Sequence, residues 1–327
     1  MAARAGVSRA TASRVLRGES NVSDHAKEQV EAAAHDLGYV PNLAARSLVT
    51  GRTGSVAFLV DETEERMFAD PFFLGMLRSA HQVLADNSIQ LVFTVANSPE
   101  DHRRFVSYAA GGHVDGVLLL SLHSRDELPL QLEQLGVPTV LSGRPLHGSD
   151  GLSFIDADNV GGGRLATEYL IGLGRHHVAT IAGPQDMCAG QDRLAGYRAA
   201  LEAAGTAYDP SLVTEDEFTQ AGGFDAMTRL MRARPEIDAV FAASDLLAIG
   251  AVRAIRAAGR SVPADVAVVG FDDIADARVQ EPPLTTIRQP IGELGAGMAQ
   301  LLLDRMAGAA PAAGRVLPVE LVVRHTA

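Results

Sequence analysis

The sequence has one cysteine, no run of 18 consecutive apolar residues, and no excess of positive charge over the whole chain. A lone Cys188 excludes an internal disulfide and offers no thiolate cluster for a metal, so it reads as inert. Without a long apolar run nothing reads as a transmembrane helix, and with no basic-then-apolar leader a cytoplasmic protein with no membrane partner is expected. Catalytic and cofactor signatures are missing as well. There is no Gly-x-Ser-x-Gly elbow, no dinucleotide or phosphate-loop glycine spacing and no metal triad, so neither an enzyme nor a cofactor or metal site is expected. Gly161-Gly162-Gly163 lacks phosphate-loop spacing and reads as a place where helices pack closely. The net charge of −12 argues against nucleic acid until it is divided by position. Residues 1–54 hold seven Lys/Arg against five Asp/Glu, a balance of +2, and the remainder holds 21 against 35, a balance of −14.

That mildly basic head has an organised pattern. Ala2, Ala3 and Ala5 make a short apolar helix that stops at Gly6, where a tight turn requires positive φ, and Val7 plugs the space between two helices. Ser8 is placed to cap the next helix, on which Ala12, Val15 and Leu16 form an apolar face. Arg9, Ala10, Ser13, Arg14 and Arg17 are left on the outer side, with Ser8 and Thr11 at its start. Arginine can donate bidentately to guanine, and hydroxyls suit phosphates or base edges. Asn21-Val22-Ser23 precedes a third helix, Asp24 to Leu37, closed by Gly38. Beyond Pro41, Asn42 to Val49 reads as a helix too short to stand alone, expected to form against a twin, DNA, or both.

From Gly54 short apolar strands alternate with amphipathic helices, the signature of parallel sheets covered on both faces. Strands are expected at Ser55–Val60, Ile89–Val95, Val114–Leu120, Pro138–Leu141, Val178–Ala182, Ala239–Ala242 and Val266–Gly270. Two doubly wound halves follow, and ligands of such sheets bind off the strands' carboxyl ends. Reading those ends collects Phe68, Asp70, Phe72 and Phe73, then Ser121 with His123, then Arg144 from the first half. The second half contributes Arg193, Phe218, Ser244, Asp245, Asp272 and Asp273. Aromatic faces beside Arg and Asp suit a sugar, which has an apolar ring face and radiating hydroxyls. Phe72 and Phe73 also fit a helix-start core, and Arg193 a surface ion pair. The adjacent Asp272 and Asp273 read as a cap plus a ligand contact rather than a metal pair.

The strings AGVSRATASRVLRG, LGYVPNLAARSL, RTGSVAFLV, GRHHVATIAGP, RLAGYRAAL, FAASDLLAIGAVRAI, VAVVGFDDI and LTTIRQP, in this order, resemble the lac repressor/gal repressor family of bacterial transcription regulators. The resemblance implies a helix-turn-helix head at 1–41, a hinge helix and linker at 42–53, and a bilobed α/β effector domain of periplasmic-binding-protein type at 54–327. Its subdomains are expected near 54–155 with 290–313 and near 156–289 with 314–327. It further implies a homodimer on a pseudo-palindromic double-stranded operator, with Arg9, Ala10 and Arg14 in the major groove. Ser8, Thr11, Ser13, Asn21, Asn42 and Ala45 would support them, and Leu48 would act as a minor-groove wedge. Phe73, Arg193, Phe218, Asp272 and Gln289 match effector-contacting positions, with Ser244 where Asn is common. Residues that usually precede the first string are absent, so either the true start lies upstream of Met1 or the head opens inside its first helix and is expected to be loosely ordered. The ending after Arg315 to Val323 implies a dimer rather than a tetramer. A sugar-released repressor is the leading reading. A solute-binding protein without a DNA role would share the body but not the head.

Overall fold

The computed structural model describes residues 1–16, 21–39, 51–123, 127–146, 151–311 and 314–327, in two units, 1–53 and 54–327. In the first unit, α1 (Arg9–Leu16) and α2 (Asp24–Asp36) pack through Ala12 and Val15 on Val30 and Ala33, with Ala5 buried and Val7 partly buried beside them. The sequence before α1 makes a single turn rather than the expected helix, with Ala5 N donating to Met1 O (3.0 Å) and Val7 N to Ala2 O (3.1 Å). Gly6 takes the positive φ its place in the turn demands. Ser23 caps α2 through Ala26 N, and Gly38 follows it in the left-handed region. Arg17, Asn42, Ala45 and Leu48 lie outside the described residues.

The second unit holds two six-stranded sheets of the same winding. The first runs β11-β5-β4-β3-β1-β2, from β1 (Ser55–Val60), β2 (Gln90–Val95), β3 (Val117–Leu120), β4 (Thr139–Ser142), β5 (Ser153–Ala157) and β11 (Arg315–Leu317). The second runs β12-β10-β9-β8-β6-β7, from β6 (Val178–Ala182), β7 (Val213–Glu215), β8 (Ala239–Ala242), β9 (Ala267–Asp272), β10 (Thr285–Arg288) and β12 (Glu320–Val322). Every pairing is parallel except β10 with β12.

Sheets covered on both faces explain why the strands read as continuous apolar runs rather than alternating ones. Along β1, Val56, Phe58 and Val60 face α4 (Pro71–Asp86) and α12 (Ile291–Met306), while Ala57 and Leu59 face α5 (Pro99–Tyr108) and α6 (Leu128–Gln134). In the second lobe, Ala179 and Ile181 face α9 (Gln220–Ala233) and α10 (Asp245–Ala257), while Val178 and Ala182 face α7 (Asn159–Gly172) and α8 (Cys188–Ala203). Each fully buried Leu or Phe in these layers contributes about 1.5–3 kcal/mol. The short α3 (Glu64–Ala69) and α11 (Ala275–Val279) are the remaining α-helices among the described residues.

The chain crosses between lobes after β5, after β10 and after β11. Because Ser153–Ala157 and Arg315–Leu317 belong to the first sheet, these crossings lie beyond 157 and 317 rather than at the expected 155 and 313. The expected final strand, Arg315 to Val323, is broken into β11 and β12 at Pro318, which has no N–H to continue a ladder. The triple glycine packs closely, as expected. A Cβ on Gly163 would stand 2.3 Å from Arg193 O, and one on Gly196 2.2 Å from Val160 O, so α7 and α8 touch backbone to backbone.

Candidate functional site

On the head, Arg9, Ala10, Ser13 and Arg14 are exposed on one side of α1 while Ala12 and Val15 are buried on the other. Ser8 Oγ accepts from Thr11 N at 3.0 Å and shares a hydrogen bond with Thr11 Oγ1 at 2.9 Å, which fixes the start of the helix. Asn21 is exposed just before α2. These residues form an exposed cationic helix face of the kind that enters a groove.

In the body, the strand ends converge on one cleft between the lobes, where β1 and β3 face β6 and β8, the points at which each sheet's winding reverses. It encloses about 770 Å³ of unfilled space, open solvent at its mouth included. Asp70 caps α4, its Oδ1 accepting from Phe72 N at 3.0 Å, and so sets Phe72 and Phe73 in the first turn, edge-on at 5.5 Å between centroids. These three, with Ser121, Arg144, Arg193, Phe218, Ser244, Asp272 and Gln289, line the cleft.

Arg193 is the organising cation of the second lobe. Its guanidinium lies 3.7 Å from the Phe271 ring centroid, Nε donates to Asn159 Oδ1 at 2.9 Å, and one terminal nitrogen donates to Ala243 O at 2.5 Å and lies 3.6 Å from the Asp272 carboxylate. Gln289 Nε2 donates to the same Asp272 oxygen at 2.5 Å. Burial pushes the Asp272 carboxyl up to about 7 against the pull of Arg193, and burial lowers Arg193 itself. Asp156 is pushed up to about 6, again by burial, although Arg144 N, Ala157 N and Asn159 Nδ2 all donate to it. Across the lobes, Arg144 donates to Asp192 from Nε (3.2 Å) and a terminal nitrogen (2.5 Å), a bidentate pair.

Two wall residues have unfavourable backbones: Ser121 at φ 63° and Asp272 at φ 120°. The next residue, Asp273, is at φ 58° with its side chain fully buried and held by Arg278, Arg288 and Arg324. It is therefore an arginine clamp on the turn that presents Asp272, rather than the cap expected from sequence. His123 joins the lobes, donating from Nδ1 to Asp186 (2.8 Å) with Nε2 at 3.6 Å from Glu62. The neighbouring Glu62 carboxylate is the largest cause lifting its pKa to about 9, against the opposing effect of burial.

Two sequence candidates stand elsewhere. Phe68 is 66 % exposed and outside the cleft, because the turn of α3 that buries Arg66 and Met67 sends it outward. Asp245 is fully buried, taking Thr286 Oγ1 (2.5 Å) and Ile274 N (2.9 Å), so it braces α10 against β10 instead of facing the cleft. Conversely Arg66, Ser142, Asp156 and Asn159 line the cleft without having been singled out. Asp156 lies one residue before the end of β5, a strand that the pattern search passed over; applying the strand-end rule there would have found it. Arg66 sits among acids in Glu64-Glu65-Arg66 and reads as a solvated helix face.

Chemically, the cleft binds rather than reacts. Cys188 has its thiol pushed well above the ordinary range by burial, and its Sγ donates to Asp192 at 3.4 Å, so it is not a poised nucleophile. Ser121 donates to Glu62, a carboxylate held below its ordinary range, despite burial, by His123 and Arg66 and so a weak base, and Ser244 Oγ accepts from Leu247 N at 3.1 Å, so neither is an activated nucleophile. Among the described residues no group of three His, Cys, Asp or Glu is placed to hold a metal, and no helix is long and apolar enough to cross a membrane.

The family of bacterial regulatory proteins, lacI family, matches residues 1–42, and a periplasmic binding protein-like domain matches residues 167–327. The chain is 49 % identical over 328 residues to the HTH-type transcriptional regulator CelR of Thermobifida fusca, covering 100 % of this chain and 96 % of that one. A solved transcriptional regulator CelR–cellobiose complex superposes with TM-score 0.82 at 47 % identity, covering 100 % of this chain and 98 % of that one. The lac repressor dimer bound to operator and the anti-inducer ONPF superposes with TM-score 0.86 at 28 % identity, covering 99 % and 97 %. With a head and body of this kind matched along its whole length, the chain belongs to the LacI family of bacterial regulatory proteins, DNA-binding transcriptional regulators and not enzymes.

Proposed function

We propose that this regulator is a cytoplasmic repressor of carbohydrate-utilisation genes that binds a pseudo-palindromic operator as a homodimer and releases it when a sugar fills the cleft. The observation that carries the reading is the convergence of three carboxylates (Asp70, Asp156, Asp272) and three aromatic rings (Phe72, Phe73, Phe218) from both lobes on one space. Carboxylates accept from sugar hydroxyls while rings cover the apolar ring faces. The likeness to a regulator solved with cellobiose makes cellobiose the first ligand to try. A ligand touching both lobes favours whichever lobe arrangement it binds better, and that difference limits how far it can shift the operator equilibrium.

The test is fluorescence anisotropy on an operator duplex, titrated with cellobiose at fixed salt. Cellobiose should weaken operator binding, and operator should weaken cellobiose binding by the same factor. Arg14→Ala should lower operator affinity about 5- to 150-fold, matching the 1–3 kcal/mol of a lost base contact. Cellobiose that tightens operator binding would make the sugar a co-repressor, and no response to any sugar would remove the reading.

A further inference from the structure

Among the described residues that line the cleft, one buried side-chain donor has no partner. Arg66 in α3 is 8 % exposed and lines the cleft. A terminal nitrogen donates to Glu62 Oε1, and the guanidinium lies 5.9 Å from the Phe73 ring centroid and, on the opposite lobe, 5.2 Å from that of Phe218. Glu62 is itself held by Ser121 and His123, so the arginine is fixed in place. Its Nε is buried and has no hydrogen-bond partner among the described residues. Buried donors are nearly always satisfied, and one without a protein partner on a residue that lines the cleft is suited to a ligand that completes it. Arg193 contrasts with it at the same atom, because its Nε donates to Asn159 Oδ1 at 2.9 Å.

Charge limits what that ligand can be. Arg66 stands against Glu62, Arg144 against Asp192 and Arg193 against Asp272, so each cleft arginine is already matched by a carboxylate. Among the described residues that line the cleft no cation is left over for a phosphate or an acid group, which would enter a site whose remaining lining carboxylates, Asp70 and Asp156, repel it.

We propose that Arg66 is a ligand-reading residue, its Nε donating to an oxygen of an uncharged sugar, so that the first lobe supplies an arginine reader opposite Arg193 of the second. The assignment rests on the sugar-responsive reading above. It is tested by calorimetry on the full chain with cellobiose and with cellobiose 6′-phosphate as probes. Arg66→Lys keeps the charge against Glu62 but loses Nε, and should weaken cellobiose binding at least about tenfold. Arg66→Met combined with Glu62→Gln removes both charges and should not recover it, whereas a residue that only balances Glu62 would be rescued. The phosphorylated sugar should bind the parent more weakly than cellobiose. Parent-like affinity in both variants, or tighter binding of the phosphate, overturns this assignment alone. Absence of sugar binding by the parent overturns it together with the sugar reading.

Discussion

At the scale of single residues, burial sets the behaviour of the cleft carboxylates. Asp272 stands at about 7 against an ordinary 3.8, so its folded pKa is raised. The stability it contributes is present at low pH and is lost as pH rises from about 4 through about 7, where the buried group must ionise. Asp156, at about 6, adds loss of the same sign over a lower window. Sugar binding runs the other way, since hydroxyls donate best to the ionised carboxylate. Cellobiose affinity should therefore increase as pH is raised from about 6 to about 8 and level off above, while the sugar-free protein loses stability to urea over about 4 to 7. A flat calorimetric profile across that range would mean that Asp272 does not meet the sugar. Asp272 and Arg193, singled out from sequence, lie in the cleft lining, but residue identity could not separate Phe68 from Arg66. Both stand on one short helix, and only the packing of α3 decides which of them turns inward.

At the scale of elements, the contact between α7 and α8 places Arg193. The absence of side chains at Gly163 and Gly196 lets the two backbones meet, and Arg193 O is the atom that a Cβ on Gly163 would strike. Gly163→Ala should cost about 1–3 kcal/mol by overpacking and weaken cellobiose binding as α8 shifts. Gly172, at the end of the same helix, has nothing within 4 Å of its Cβ position, so Gly172→Ala should raise stability by up to about 1 kcal/mol and leave binding alone. Chemical unfolding of the two variants gives the comparison, and equal effects would remove the packing argument. Long periodic elements were legible: β1, β6 and β8 occupy the residues expected of them. The strand β5 was not, because Ser153 and Asp156 interrupt its apolar run, and the break at Pro318 showed its consequence only once two sheets were present to claim the two halves.

At the scale of the whole effector domain, the lobes are tied across the cleft by His123 with Asp186 and by Arg144 with Asp192. His123 is a base with a raised pKa, so its stabilising contribution is whole below about 6.5 and is lost as pH rises through about 9. Asp186→Asn should loosen the tie wherever His123 is protonated, below about pH 9. Cys188 reports on this directly, being the one thiol of the chain and buried at the cleft. At fixed pH, alkylation of Cys188 by iodoacetamide should be faster in Asp186→Asn than in the parent, and cellobiose should slow it in both. Equal rates would mean that this pair does not hold the lobes together.

The sequence by itself determined the division into a basic head and an acidic body, the turn and exposed face of α1, and the strand–helix alternation that makes parallel sheets. These depend on neighbours a few residues apart, where capping, positive φ and the period of apolar residues act. Tertiary structure decided which strand ends share the cleft. Glu62, Arg66, Arg144, Asp192, Arg193 and Asp272 come from distant parts of the chain and meet only because three crossings fold one lobe over the other. The same fold buried Asp245 among its own partners, turned Asp273 into an arginine clamp and left Arg66 Nε open. Charge matching and burial between remote segments follow from the packed shape, and no local periodicity encodes them.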